Sequence, residues 1–160
     1  SFTSAFLDDS FLIGYLMPEE YFYFVGELRN FSKKQVDDFL TDFEDLFNNE
    51  ILGGKKYIRD LSKGNQKKVG IVAALIGDPK VIVLDEPFAN LDPTTQIRLK
   101  KIIKNLSKKE DVTVLVSSHD LQDVTEVSDR IVLLEKGLII KDIKKTTKTL
   151  KDLESYFTKE

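Results

Sequence analysis

The sequence predicts an α/β fold, a parallel sheet with helices packed on it, joined to a mainly helical subdomain. Three observations carry this prediction. Residues Val81 to Leu84 are apolar and mostly β-branched, and they run straight into Asp85 and Glu86. Such a run suits a strand buried on both faces of a parallel sheet, with the two carboxylates emerging at the strand end where open sheets bind ligands. The second half of the chain alternates short apolar runs with amphipathic stretches, the pattern of right-handed β-α-β crossovers. The first half instead places its many phenylalanines at helical spacing.

The elements follow in order. Pro18 suits a first helical position, with Glu19 and Glu20 at the positive end of the helix. Tyr21 to Phe24 are all aromatic and cannot all face inward, so this helix is apolar over more than one face. Ser32-x-x-Gln35 is a capping box. Behind it Val36, Phe39, Leu40, Phe43 and Phe47 keep helical spacing until Gly53-Gly54 breaks the chain. A further helix starts at Ser62, buries Val69, Val72, Ala73 and Ile76, and stops at Gly77 and Pro79. After the strand at Val81, Asp92-Pro93 opens a helix with Leu99, Ile102, Ile103 and Leu106 facing inward. Val112 to Val116 reads as a strand, followed by a short helix from Asp120. Ile131 to Leu134 and Leu138 to Ile140 read as two strands around a turn at Lys136-Gly137. Asp142 to Lys148 is polar and reads as a linker. Thr149-x-x-Asp152 opens a last helix carrying Leu150, Leu153 and Phe157. The boundaries expected are 1–77 for the helical subdomain, 78–141 for the sheet core, and 142–160 for the linker and last helix.

Composition narrows the function. The 160 residues suffice for one domain with a core. Net charge is −3, from 24 basic and 27 acidic residues, which argues against general nucleic-acid binding. Without cysteine, disulfides and thiolate metal sites are excluded. The longest apolar run, Ile71 to Ile76, is too short to span a bilayer, which takes roughly 18 residues. No signal peptide opens the chain, so a membrane link is expected through a partner.

Four ordered motifs carry the chemistry. They are Leu61-Ser62-Lys63-Gly64-Asn65-Gln66, then Val81 to Glu86, then Asn90-Leu91-Asp92, then Ser117-Ser118-His119-Asp120. Residue by residue, Ser62 reads as an ordinary helix cap, and equally as the start of an anion site built from unpaired helix N–H groups. Asp92-Pro93 is a good cap whatever else it does. His119 is the only histidine, and no second His or Cys stands ready to complete a metal site.

In this order and spacing the four motifs resemble the signature loop, Walker B segment, D-loop and switch histidine of ABC ATP-binding domains. The resemblance runs from about Phe2 to Gly137. It implies a P-loop NTPase (RecA-like) sheet with an α-helical signature subdomain, and ATP and Mg²⁺ as cofactors. It assigns Asp85 to the metal, Glu86 to the attacking water and His119 to the γ-phosphate. Ser62, Lys63, Gly64, Asn65 and Gln66 would face the nucleotide of the opposite subunit. Asn90, Leu91 and Asp92 would meet that subunit's P-loop. Asp8 falls at the Q-loop position, usually Gln or Glu. The chain departs from the family at Lys63, where Gly is usual, and at Asn65, where Gln is usual. The Lys variant resembles one seen among exporter-type domains.

The P-loop itself, Gly-x-x-x-x-Gly-Lys-Ser/Thr, is not found. Gly54-Lys55 is the only Gly-Lys pair, but Asn49 and Lys56 stand where Gly and Ser/Thr belong. The chain therefore reads as the C-terminal two-thirds of such a domain, and alone it is expected to bind ATP poorly. The resemblance implies an ATPase subunit of an ABC transporter, at the inner face of the membrane. It would dimerise with a second ATP-binding domain and drive a transmembrane subunit. The alternatives are a non-transport ABC ATPase acting on ribosomes or chromosomes, and an interaction fragment that works without nucleotide.

Overall fold

The computed structural model describes residues 3–157. In chain order it contains β1 (Thr3–Phe6), α1 (Pro18–Leu28), α2 (Lys33–Leu40), α3 (Glu44–Phe47), α4 (Lys63–Leu75) and β2 (Val81–Asp85). Then come α5 (Pro93–Leu106), β3 (Thr113–Ser117), α6 (Leu121–Val127), β4 (Arg130–Glu135), β5 (Leu138–Lys144) and α7 (Thr149–Phe157). The parallel sheet has the order β1-β2-β3. Register pairs Phe6 with Leu84 and Asp85 with Ser117. β4 and β5 form a separate antiparallel hairpin.

This strand order explains where the core lies. Each connection steps the same way across the sheet. Right-handed crossovers stepping one way leave all their helices on one face. Ser4, Phe6, Ile82 and Leu84 point to that face and are buried under α4 and α5. On the other face Val81 and Val83 are half-buried and Leu115 is 62% exposed. The expectation of a strand buried on both faces is thus corrected: β2 is covered on one.

Local chemistry sets the ends of the helices. Ser32 and Gln35 form the expected capping box, with reciprocal bonds of 3.3 and 2.9 Å. Phe22 is fully buried while Phe24 is 43% exposed, so the aromatic run does divide between core and surface. The expected helix through Phe47 is broken into α2, a 3-10 turn at Thr41–Phe43, and α3. Asn48 then adopts a left-handed φ of 52°, which ends α3. Phe39, Phe43 and Phe47 nevertheless stack in sequence, with ring centroids 4.9 and 6.4 Å apart. The core is continuous from Phe22 and Phe47 through α4 to Leu84 and Leu99.

Two further readings change. A strand, β1, lies within the segment read as helical. The expected polar linker from Asp142 is partly strand, since β5 runs on to Lys144 and Arg130 grips Asp142 across the hairpin.

Candidate functional site

The site grows from the C-terminal end of β2. Asp85 is the last strand residue and lies beside Ser117 of β3. The Ser117 hydroxyl donates to Asp85 Oδ1 and accepts from the Glu86 amide at 3.0 Å. Glu86 leaves the strand with φ of +44°, a conformation that costs a non-glycine residue roughly 1–3 kcal/mol and persists only where neighbours hold it. Its Oε1 accepts from the His119 amide at 3.0 Å and lies 2.8 Å from His119 Nδ1. A carboxylate only accepts, so Nδ1 carries the hydrogen and Nε2 is left for a ligand. The hydrogen bond that His119 donates to Glu86, then the charge of that carboxylate, raises the His119 pKa above the ordinary histidine value.

Across the cleft stands the start of α4. Ser62 caps it, accepting from the Asn65 amide at 3.2 Å. Gly64 passes so close to the next turn that a Cβ there would stand 3.3 Å from the Asn90 carbonyl. Lys63 reaches Asp9 at 2.6 Å, and that bond raises its pKa. Asp8, just past β1, caps a 3-10 turn by accepting from the Ser10 amide at 2.7 Å, and the hydrogen bonds from Ser10 lower its pKa. A cleft of about 270 Å³ gathers Asp8, Asp9, Asp85 and Glu86 with Lys63 and Lys67. Four carboxylates facing two ammonium groups favour a hard divalent cation and repel bare phosphate. Among the described residues no three or more His, Cys, Asp or Glu side chains converge as a metal cage.

Comparison with known proteins now has geometry to meet. A family model described as "AAA domain, putative AbiEii toxin, Type IV TA system" matches residues 19–122. An uncharacterized ABC transporter ATP-binding protein of Synechocystis is 34% identical over 80% of this chain. Another, from Methanocaldococcus jannaschii, is 35% identical over 78%. The energy-coupling factor transporter ATP-binding protein EcfA2 of Staphylococcus epidermidis is 35% identical over 69%. The chain belongs to the ABC ATP-binding proteins. It spans 39%, 51% and 39% of the length of these three relatives. The fold agrees: the dimeric ATP-binding cassette MJ0796, solved in a post-hydrolysis state with ADP and Pi, superposes with a TM-score of 0.73. That likeness has 22% identity and covers 89% of this chain and 62% of the other.

The ABC motifs sort into two groups in this fold. Asp8, Lys63, Asp85, Glu86 and Asn90 line one cleft, with Gly64 against Asn90 and His119 on Glu86, while Ser62 caps α4. Asn65 and Gln66 turn inward instead, at 9% and 8% exposure. Asn65 donates to Glu50 Oε2 at 3.0 Å, and Gln66 donates to the Arg59 and Leu61 carbonyls at 3.2 and 2.9 Å. In this chain their polar ends brace the loop before α4. Leu91 is buried, and Asp92 caps α5 by accepting from both the amide and the hydroxyl of Thr95. Sequence reasoning placed Ser117 in a motif but missed its role of fixing both Asp85 and Glu86, and it missed Lys67 altogether. The Lys67 ammonium donates to the carbonyls of Glu86 and Ala89, and burial lowers its pKa.

Proposed function

We propose that this chain supplies the hydrolysing part of an ATP site in an ABC transporter ATPase subunit. The reading rests on one observation: Glu86, at the mouth of the central strand, is held by His119 beside an Asp85 fixed by Ser117. Both His119 bonds fall on Oε1. Oε2 takes no bond among the described residues and is placed to polarise a water toward a γ-phosphate. His119 Nε2 contacts the same phosphate, and a proton gained there adds positive charge. Asp85 would hold Mg²⁺, which would supply charge neutralisation for the phosphate oxygens. Ser62, Lys63 and the backbone around Gly64 form the anion site at the start of α4, facing nucleotide held by a second ATP-binding domain.

The partner reading has its own support. Among the described residues no helix is long and apolar enough to cross a membrane. An apolar groove of about 460 Å³ lies between α1 and the segment after β1. Phe11 and Leu28 on its walls are 72% and 70% exposed. A surface of that kind suits a transmembrane subunit docking from the inner face of the membrane. The chain would then work on the cytoplasmic side.

The test is phosphate release from Mg-ATP by the complete gene product. Glu86→Gln is expected to lower turnover by about 10²-fold or more, with chelation of Mg²⁺ abolishing it. Unchanged turnover in Glu86→Gln would overturn the reading.

A further inference from the structure

Glu86 departs from its strand in a conformation that its own sequence does not favour. The next residue, Pro87, has no N–H with which to anchor the turn. The Ala89 amide closes the turn on the Glu86 carbonyl at 3.3 Å, and side chains hold it further. Gln96 Nε2 donates to the Phe88 carbonyl at 3.0 Å. Lys67 Nζ donates to the Glu86 carbonyl at 2.7 Å and to the Ala89 carbonyl at 2.8 Å. One ammonium thus bridges both ends of the Glu86–Ala89 turn. Lysine suits this task, since it carries three donors on a long stem and needs no acceptor in return. Lys67 is half-buried, and its charge lies near Asp9, Glu86, Asp8 and Asp85 while its hydrogen bonds among the described residues go to carbonyls.

We infer that Lys67 is a positioning residue: by pinning the Glu86 and Ala89 carbonyls, it aims the Glu86 carboxylate at His119 and at the reacting water. The inference rests on the proposed role of Glu86 and His119, and it adds a link. Lys67 lies on α4, five residues after Ser62. At 1.5 Å per residue this is about 7.5 Å of rigid helix. A phosphate that shifts the start of α4 therefore moves the anchor of Glu86. The phosphate-facing loop and the hydrolytic carboxylate become one mechanical unit within a single chain.

Because His119 is the only histidine, its imidazole resonance can be titrated by proton NMR on the 160-residue chain. The groups that act on its titration are Glu86, Asp120 and Asp123. The wild-type value is expected above the ordinary histidine range, and Glu86→Gln is expected to bring it down. Lys67→Met is expected to bring it down as well, because a released turn carries the carboxylate away from the ring. Electrostatics alone predicts the opposite sign, since deleting a nearby cation while Glu86 stays in place raises a histidine pKa. Lys67→Arg, which can still reach both carbonyls, is expected to restore the wild-type titration, with far-UV circular dichroism unchanged throughout. A wild-type or higher value in Lys67→Met would overturn the inference and leave the Glu86 reading intact. If Lys67→Met does not fold, Lys67→Gln carries the same comparison, and a wild-type value there is equally decisive. No change in Glu86→Gln would instead overturn the pair on which the proposed function depends.

Discussion

At the scale of single residues, Glu86 and His119 make a pair whose effect on folding has a definite sign. The pair raises the His119 pKa in the folded chain above its unfolded value. Its contribution to stability is therefore fully present below the unfolded pKa, and it is lost as pH rises through the folded one. Urea midpoints of wild type and His119→Asn should differ between about pH 5 and 6 and converge as pH rises through the raised His119 value. Asp92 makes a second case. Its carboxylate takes the amide and hydroxyl of Thr95, and those bonds lower its pKa. Asp92→Ala should cost about 1 kcal/mol in denaturant unfolding, the usual value of a lost cap. Both residues could be singled out from sequence because their local partners lie three residues away or at a strand end. Lys67 and the role of Ser117 could not. Their partners are a main-chain turn and a carboxylate about 20 to 30 residues distant, and nothing in a lysine or serine codon marks such a contact.

Among the elements, α4 sets the terms for its neighbours. From Lys68 to Leu75 every residue is buried, so this helix is a core strut and not an amphipathic surface helix. Gly70 lets the Phe6 ring of β1 lie against the helix backbone, where a Cβ would stand inside the ring. Alanine is the better helix former by about 1 kcal/mol, but overpacking a buried ring costs about 1–3 kcal/mol. Gly70→Ala should therefore lower stability, read as a reduced urea midpoint with an unchanged slope. The same contact explains why β1 escaped notice: Thr-Ser-Ala-Phe is short and weakly apolar, and it becomes a strand because α4 and β2 supply its burial. The caps at Ser32, Ser62, Asp92 and Asp120 were readable because capping is a local signal. The split of α2 from α3 was not, since Leu40 and Phe47 are buried on either side of the break and keep the helical spacing across it.

For the molecule as a whole, alternation of strands and helices announced the parallel sheet, but not that its crossover helices would lie on one side. That follows from the order β1-β2-β3, which a sequence does not print. The order also places the carboxylates on the only strand of that sheet with a neighbour on each edge. Alternate amides of a parallel strand point to opposite edges. In β1 and β3 every second amide therefore points away from β2. Deuterium exchange should accordingly be slowest in Val81 to Asp85, faster at outward amides of Thr113 to Ser117, and fastest in the β4–β5 hairpin. Equal exchange across the three parallel strands would contradict this order. The strand that ends in Asp85 and Glu86 is then the part of the molecule that lets go last. Heating or denaturant would loosen the hairpin well before it reached the two acids, so their spacing would outlast that outer edge.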